Sequence, residues 1–201
     1  MEEKLLPKVA ALYQAVGEMI EEGADVNEMK VSDITNRAGI GKGTAYDYFK
    51  NREDIISSAM VYQMDRICRQ IEDKFIGLGS FSKMIRYVLD CMDEEIGKRD
   101  CFIRYIHILT DNSPISKSLK EKIASRDENE YSPVKLLMEM VDTGVKNGEI
   151  KENLPRDYMC MEIGSKMIVY AMYLESRENK NYTRPQIHEF IMDSLLREFN
   201  A

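Results

Sequence analysis

Lys42, Thr44, Tyr46, Asp47, Tyr48 and Arg52 crowd into a single short stretch, GKGTAYDYFKNR, residues 41–52. Hydroxyls and cations at this density suit a phosphate backbone. Thr44, Tyr46 and Tyr48 can donate hydrogen bonds to phosphate oxygens, which fixes register without reading sequence. Lys42, Gly43, Thr44 and Asp47 are placed for base edges, Lys42 suiting guanine acceptors and Asp47 a cytosine amino group. Gly41 and Gly43 let a backbone come close to a partner. Segment 29–52 holds five basic residues (Lys30, Arg37, Lys42, Lys50, Arg52) against Asp33 and Asp47, a net +3. Residues 1–56 carry 7 basic and 11 acidic residues, a net −4. A local basic patch in an acidic chain fits a small phosphate-contacting surface and argues against indiscriminate coating of nucleic acid.

Two short helices must hold these groups. Val31, Ile34 and Ala38 have helical spacing, and Gly39 follows where a left-handed residue ends the helix. Ile40 anchors the turn, and a second helix is expected from about Lys42 to Phe49. Asn51 reads as the N-cap of the next helix, with Arg52 in its first turn. Two helices joined by a glycine turn form a helix-turn-helix, whose second helix enters the major groove. The same topology also occurs as a plain corner in helical bundles, where Tyr46 and Phe49 would be core.

The pattern D-I-T-x-x-A-G-I-x-K-G-T-x-Y-x-Y-F-x-x-R-E-D-I within residues 31–56 resembles the TetR family of transcriptional regulators. The chain departs from that pattern at Lys30, where a Ser or Thr cap is common, and at Gly41, which replaces a usual Ser. The resemblance implies double-stranded operator DNA as partner, contacted by Arg37, Gly41, Lys42, Gly43, Thr44, Tyr46, Asp47, Tyr48, Asn51 and Arg52, with Arg52 as a phosphate clamp. It also implies a homodimer and a small-molecule effector.

The rest of the chain reads as helix, with no strand-like alternation, low-complexity tract or internal repeat. Leu5, Val9, Leu12, Val16 and Ile20 form one stripe, stopped by Gly23. A long helix is expected from Arg52 to about Phe75, with Ile56, Met60, Met64, Ile67 and Ile71 on one face. Further helices are expected at about 82–97, 101–110, 114–128, 133–147, 155–178 and 184–199, the last opened by a Thr183-x-x-Gln186 capping box. The fold expected is therefore all-α, with a three-helix DNA-binding domain over 1–54 and a helical effector-binding and dimerisation domain over 55–201.

In the last two helices, Tyr158 to Leu174 is apolar on more than one face, and Ile187, Phe190, Ile191, Leu195 and Phe199 form a broad stripe. Tyr170, Met172, Ile187, Phe190, Ile191 and Leu195 are the expected dimer contacts, in keeping with the family's four-helix interface. Met84, Tyr87, Met92, Phe102, Tyr105, Ile106, Met138, Met161 and Met167 give a soft, polarizable region that suits an effector pocket. Arg104, His107 and Asn112 can add polar contacts. Methionine at helical spacing also suits plain core.

Composition bounds the remainder. At 201 residues, 44% hydrophobic and net charge −7, the chain can bury a substantial core. MEEKLLPK opens on two glutamates and is broken by Pro7, unlike a secretory signal, and the longest apolar run, Met167–Leu174, is too short to span a bilayer. No membrane association is expected. Cys68, Cys91, Cys101 and Cys160 lack a CxxC pair and suit reduced thiols in a cytoplasm. There is no GxSxG elbow, and Lys42 is followed by Gly where a phosphate loop needs Ser or Thr. His107 and His188 lie in different helices, with no HExxH, so neither a metal nor a cofactor is expected. Asp93-Glu94-Glu95 reads as a solvated face. The competing reading is a helical small-molecule-binding or protein-interaction module that does not bind DNA.

Overall fold

The computed structural model describes residues 5–95, 108, 111–126, 131–176 and 181–201, and among them every regular element is an α-helix. These are α1 (Pro7–Glu21), α2 (Val31–Ala38), α3 (Lys42–Tyr46), α4 (Arg52–Leu78), α5 (Phe81–Glu95), α6 (Pro114–Ala124), α7 (Pro133–Lys146), α8 (Arg156–Glu175) and α9 (Arg184–Asn200). The expected helix over about 101–110 lies outside the described residues, apart from Ile108, which is helical and buried. No helix among the described residues is long and apolar enough to cross a membrane.

Local chemistry explains most of the boundaries. Ser113 and Ser132 accept from the Ser116 and Lys135 amides, capping α6 and α7 ahead of Pro114 and Pro133. Thr183 and Gln186 form the expected capping box of α9. α3 ends three residues sooner than expected. Its last turn tightens as the Tyr48 amide donates to the Ala45 carbonyl at 3.2 Å, and Asp47 and Tyr48 fall in a turn. In α4 the expected stripe fails at Ile67, which is exposed, whereas Cys68 and Phe75 are buried.

The chain divides into two compact units, Met1–Arg66 with Arg99–Glu130 and Ile67–Lys98 with Tyr131–Ala201. In the first, Leu12, Val16 and Ile20 of α1 share one core with Ile34, Ala45, Ile55, Ile56 and Met60. Ile108, Ile115 and Leu119 enter the same core, so α6 packs with the N-terminal helices. Polar contacts repeat the association. Lys122 Nζ lies 2.6 Å from Asp54, the Ser57 and Ser118 hydroxyls are 2.8 Å apart, and Arg126 pairs with Asp65. Burial alone would raise the Asp54 carboxyl, but Lys122 and the Lys50 amide outweigh it and hold the group below its ordinary value.

In the second unit α5, α7, α8 and α9 pack together, with the Phe81 and Phe199 rings edge to face at 6.1 Å. Gly144 is required by space: a β-carbon there would come within 2.9 Å of Ile150 and Phe81. Glu149 crosses to the start of α5, where its carboxylate accepts from the Phe81 and Ser82 amides at 2.9 and 3.1 Å and from the Ser80 hydroxyl at 3.0 Å. An anion among the unpaired amides of a helix N-terminus is favoured by hydrogen bonding and by the helix dipole.

Candidate nucleic-acid interface

The helix-turn-helix is built by one backbone reversal. Gly39 takes φ 67 and ψ 29, the left-handed conformation that ends α2, and the Ile40 amide returns to the Thr35 carbonyl at 3.0 Å. α3 then presses Ala45 into the core, fully buried, and leaves the opposite side outward. Lys42, Gly43, Tyr46, Asp47 and Tyr48 are exposed and Thr44 is half-buried. Tyr46 and Tyr48 show 51% and 41% of their surface to solvent, unusually open for large aromatics in a folded head. Phe49 turns the other way and is buried, its ring 5.9 Å from Tyr13.

Gly41 and Gly43 have negative or helical backbone angles, and a β-carbon at either would meet nothing within 4 Å among the described residues. The fold itself therefore does not demand glycine at these positions. A requirement, if present, comes from something outside the chain.

Three expected DNA contacts have partners within the chain. Asn51 Oδ1 accepts from the Asp54 amide at 2.8 Å and caps α4. The Arg37 guanidinium grips both oxygens of Glu22, at 2.8 and 2.6 Å, with Glu18 at 3.8 Å, joining α1 to α2. The hydrogen bonds to Glu22 hold this guanidinium above its ordinary value. Arg52 Nη1 donates to the Asn27 and Met29 carbonyls at 2.7 and 3.2 Å, and its Nε donates to Glu53. It thereby pins the segment that leads into α2. Sequence reading missed this role, because carbonyls 23 and 25 positions away leave no pattern in side-chain types.

The residues expected around an effector divide by burial. Met84 and Met167 are buried, and Tyr87, Met92 and Met138 are half-buried, with Met138 Sδ 3.5 Å from Cys160 Sγ. Met161 is 70% exposed on α8, on the same outward face as Ile168, Val169 and Met172, and so does not line an interior. Phe102, Arg104, Tyr105, Ile106 and His107 lie outside the described residues; Asn112 is exposed.

The expected dimer contacts also divide. Met172 and Phe190 are exposed and Ile187 is half-buried, whereas Tyr170, Ile191 and Leu195 are buried within their own unit. Tyr170 and Leu195 are thus inner residues of α8 and α9, and the outward apolar face runs through Met161, Ile168, Val169, Met172 and Phe190. Asp93, expected on a solvated face, is instead turned inward: it accepts from the Tyr170 hydroxyl at 2.5 Å. Burial and Asp93 together push the Tyr170 phenol far above its ordinary value, so it remains protonated.

Residues 12–59 match the family described as bacterial regulatory proteins, tetR family. Over 153 residues the chain is 27% identical to the fatty acid metabolism regulator protein of Bacillus subtilis (strain 168), covering 74% of this chain and 73% of that protein. In structure it is similar to FadR of Bacillus subtilis, solved in complex with stearoyl-CoA, with TM-score 0.65 at 20% identity over 93% of this chain and 97% of that one. It is also similar to the regulator CifR, solved as a cysteine mutant on 26-bp double-strand operator DNA, with TM-score 0.62 at 13% identity over 94% of each chain.

Proposed function

We propose that the chain is a tetR-family transcriptional regulator that represses transcription by holding operator DNA as a homodimer until a small amphipathic effector binds. One observation carries the DNA assignment: α3 buries Ala45, and α3 with the turn after it leaves Lys42, Tyr46, Asp47 and Tyr48 outward together, with two glycines beside them that the described residues do not require. On this reading Lys42 and Asp47 meet base edges, while Thr44, Tyr46 and Tyr48 hold phosphates. Arg37, Asn51 and Arg52 position the helices that present them.

The roles divide at about residue 54, with DNA contact before it and effector binding and pairing after it. The outward face of α8 and α9 is the pairing surface, since two reading heads on a palindrome need two-fold symmetry. The effector class is a long-chain acyl-CoA. A relative that regulates fatty acid metabolism and a similar fold holding stearoyl-CoA support this choice. So do the buried methionines Met84, Met140 and Met167, whose polarizable side chains suit an acyl chain. The protein acts in the cytoplasm, where operator and acyl-CoA meet, and works by binding alone.

Effector and operator must oppose each other by the same factor. A ligand shifts the heads only if it prefers one arrangement, and linkage makes the effect reciprocal. The test is a gel-shift titration on the DNA upstream of the chain's own gene, with and without stearoyl-CoA. The expected result is a saturable, competitor-resistant complex that stearoyl-CoA dissociates. Absence of any complex would remove the DNA assignment, and a complex indifferent to acyl-CoA would remove the effector class alone.

A further inference from the structure

Asp54 stands in the first turn of α4 and gives its two carboxylate oxygens to two different parts of the chain. Oδ2 accepts from the Lys50 amide at 2.9 Å, and Oδ1 accepts from Lys122 Nζ of α6 at 2.6 Å. One side chain thus joins the turn that leaves α3 to a helix residue 68 positions further along.

The turn takes its hold from this carboxylate. The Tyr48 and Phe49 amides both return to the Ala45 carbonyl, at 3.2 and 3.1 Å, and close the last turn of α3. The Lys50 amide, next in line, points forward to Asp54, while Asn51 caps α4 by accepting from the Asp54 amide at 2.8 Å. Support therefore passes from α3 to α4 at Lys50, two residues after the outward Tyr48.

Lys122 fixes the carboxylate in turn. It lies in the last turn of α6, where the helix dipole favours a cation. Packing holds α6 in place: Ile115 and Leu119 are buried in the core that contains Ile55 and Ile56, and the Ser118 and Ser57 hydroxyls meet at 2.8 Å. The Asp54 and Lys122 side chains are 20% and 31% exposed, so the pair is partly sheltered from screening by water and salt. A cation carried on a packed helix selects one rotamer of Asp54. Without it, the carboxylate gains hydration by turning outward and leaves the Lys50 amide.

We propose that Lys122 is a positioning residue for operator binding, which holds the Asp54 carboxylate, and through it the Lys50 amide, so that Tyr48 and the outward side of α3 keep one posture. Lys122 acts through Asp54 and does not touch DNA. The inference rests on the operator reading above and adds that a residue outside the helix-turn-helix sets its geometry.

The test compares the full-length protein with Lys122→Met, Lys122→Arg, Asp54→Asn and the Lys122→Met/Asp54→Asn double variant. Gel-shift titration on the DNA upstream of the chain's own gene gives affinity and its salt dependence, and amide exchange reads the hold on Lys50. Lys122→Met should weaken the complex roughly fivefold at an unchanged salt slope, the loss expected of one sheltered ion pair. It should speed exchange at Lys50 roughly tenfold and leave exchange in α1 as it was. Lys122→Arg should restore both. In the Asp54→Asn background Lys122→Met should cost nothing further. Parental affinity in Lys122→Met overturns the proposal, and so does a slope shallower by about 0.9, which marks a direct phosphate contact. An equal loss in both backgrounds overturns it as well. A parent that forms no complex removes the operator reading; exchange at Lys50 then decides the link alone, and unchanged exchange overturns it. Should Lys122→Met fail to fold, Lys122→Gln takes its place under the same outcomes.

Discussion

Arg52 stands in the first turn of α4, where the family resemblance puts a phosphate clamp, yet its guanidinium donates to the carbonyls of Asn27 and Met29. These carbonyls belong to the approach to α2, so the side chain holds the two halves of the head in register. The two roles have different salt signatures. Losing a phosphate contact releases one fewer counterion and shallows the slope of log K against log salt by about 0.9. Losing a brace displaces the head and leaves the slope intact. Arg52→Ala should therefore weaken operator binding and lower Tm, with the salt slope within error of the parent; a slope shallower by about one unit would return Arg52 to the DNA surface. Arg37, gripped by Glu22, belongs to the same bracing class.

At the scale of elements, α5 depends on a residue that is not part of it. Glu149 follows α7 and supplies the acceptor that the Phe81 and Ser82 amides need. Burial alone would raise this carboxyl, but the hydrogen bonds from Ser82, Phe81 and Ser80 outweigh it, and the folded-state value lies below the ordinary one. The sign follows: a depressed carboxyl contributes stability above the ordinary glutamate range, lost as pH falls through the folded-state value. Glu149→Gln should cost about 2 kcal/mol at pH 7, the order expected for hydrogen bonds to a charged group. The gap from the parent should close as pH drops below about 4. Denaturant titrations across that range check it, and a gap independent of pH would assign the cost to shape and not to charge.

For the whole molecule, the chain crosses between its two compact units after Arg66, Lys98 and Glu130. A segment far along the sequence, with Ile115 and Leu119, therefore shares a core with the reading helices. The second unit presents an outward apolar face on which Val169 is 63% and Met172 58% exposed, a surface that solvent alone disfavours. If a second copy covers it, a carboxylate placed there loses its water on assembly without gaining a partner. Met172→Asp and Phe190→Asp should then each give a folded monomer by sedimentation and weaken operator binding steeply, since one head replaces two. An intact dimer in both variants, or a monomeric parent, would move the pairing surface elsewhere.

The helical class, the glycine reversal at Gly39, the Asn51 and Thr183 caps and the outward chemistry of α3 were all legible in the sequence, because each depends on residues within about one helical turn. Periodicity could also name the apolar faces of α8 and α9. It cannot say which face a subunit keeps for itself: Tyr170 and Leu195 share the apolar pattern of Met172 and Phe190, and packing separates them. Only the tertiary structure brought α6 into the reading head, aimed Arg52 at distant carbonyls and turned Asp93 toward Tyr170 and His188. The physical reason is common to all three. A buried or paired side chain takes its role from partners brought close by packing, and their separation in sequence, from 23 to 77 positions in these hydrogen bonds, carries no periodic trace.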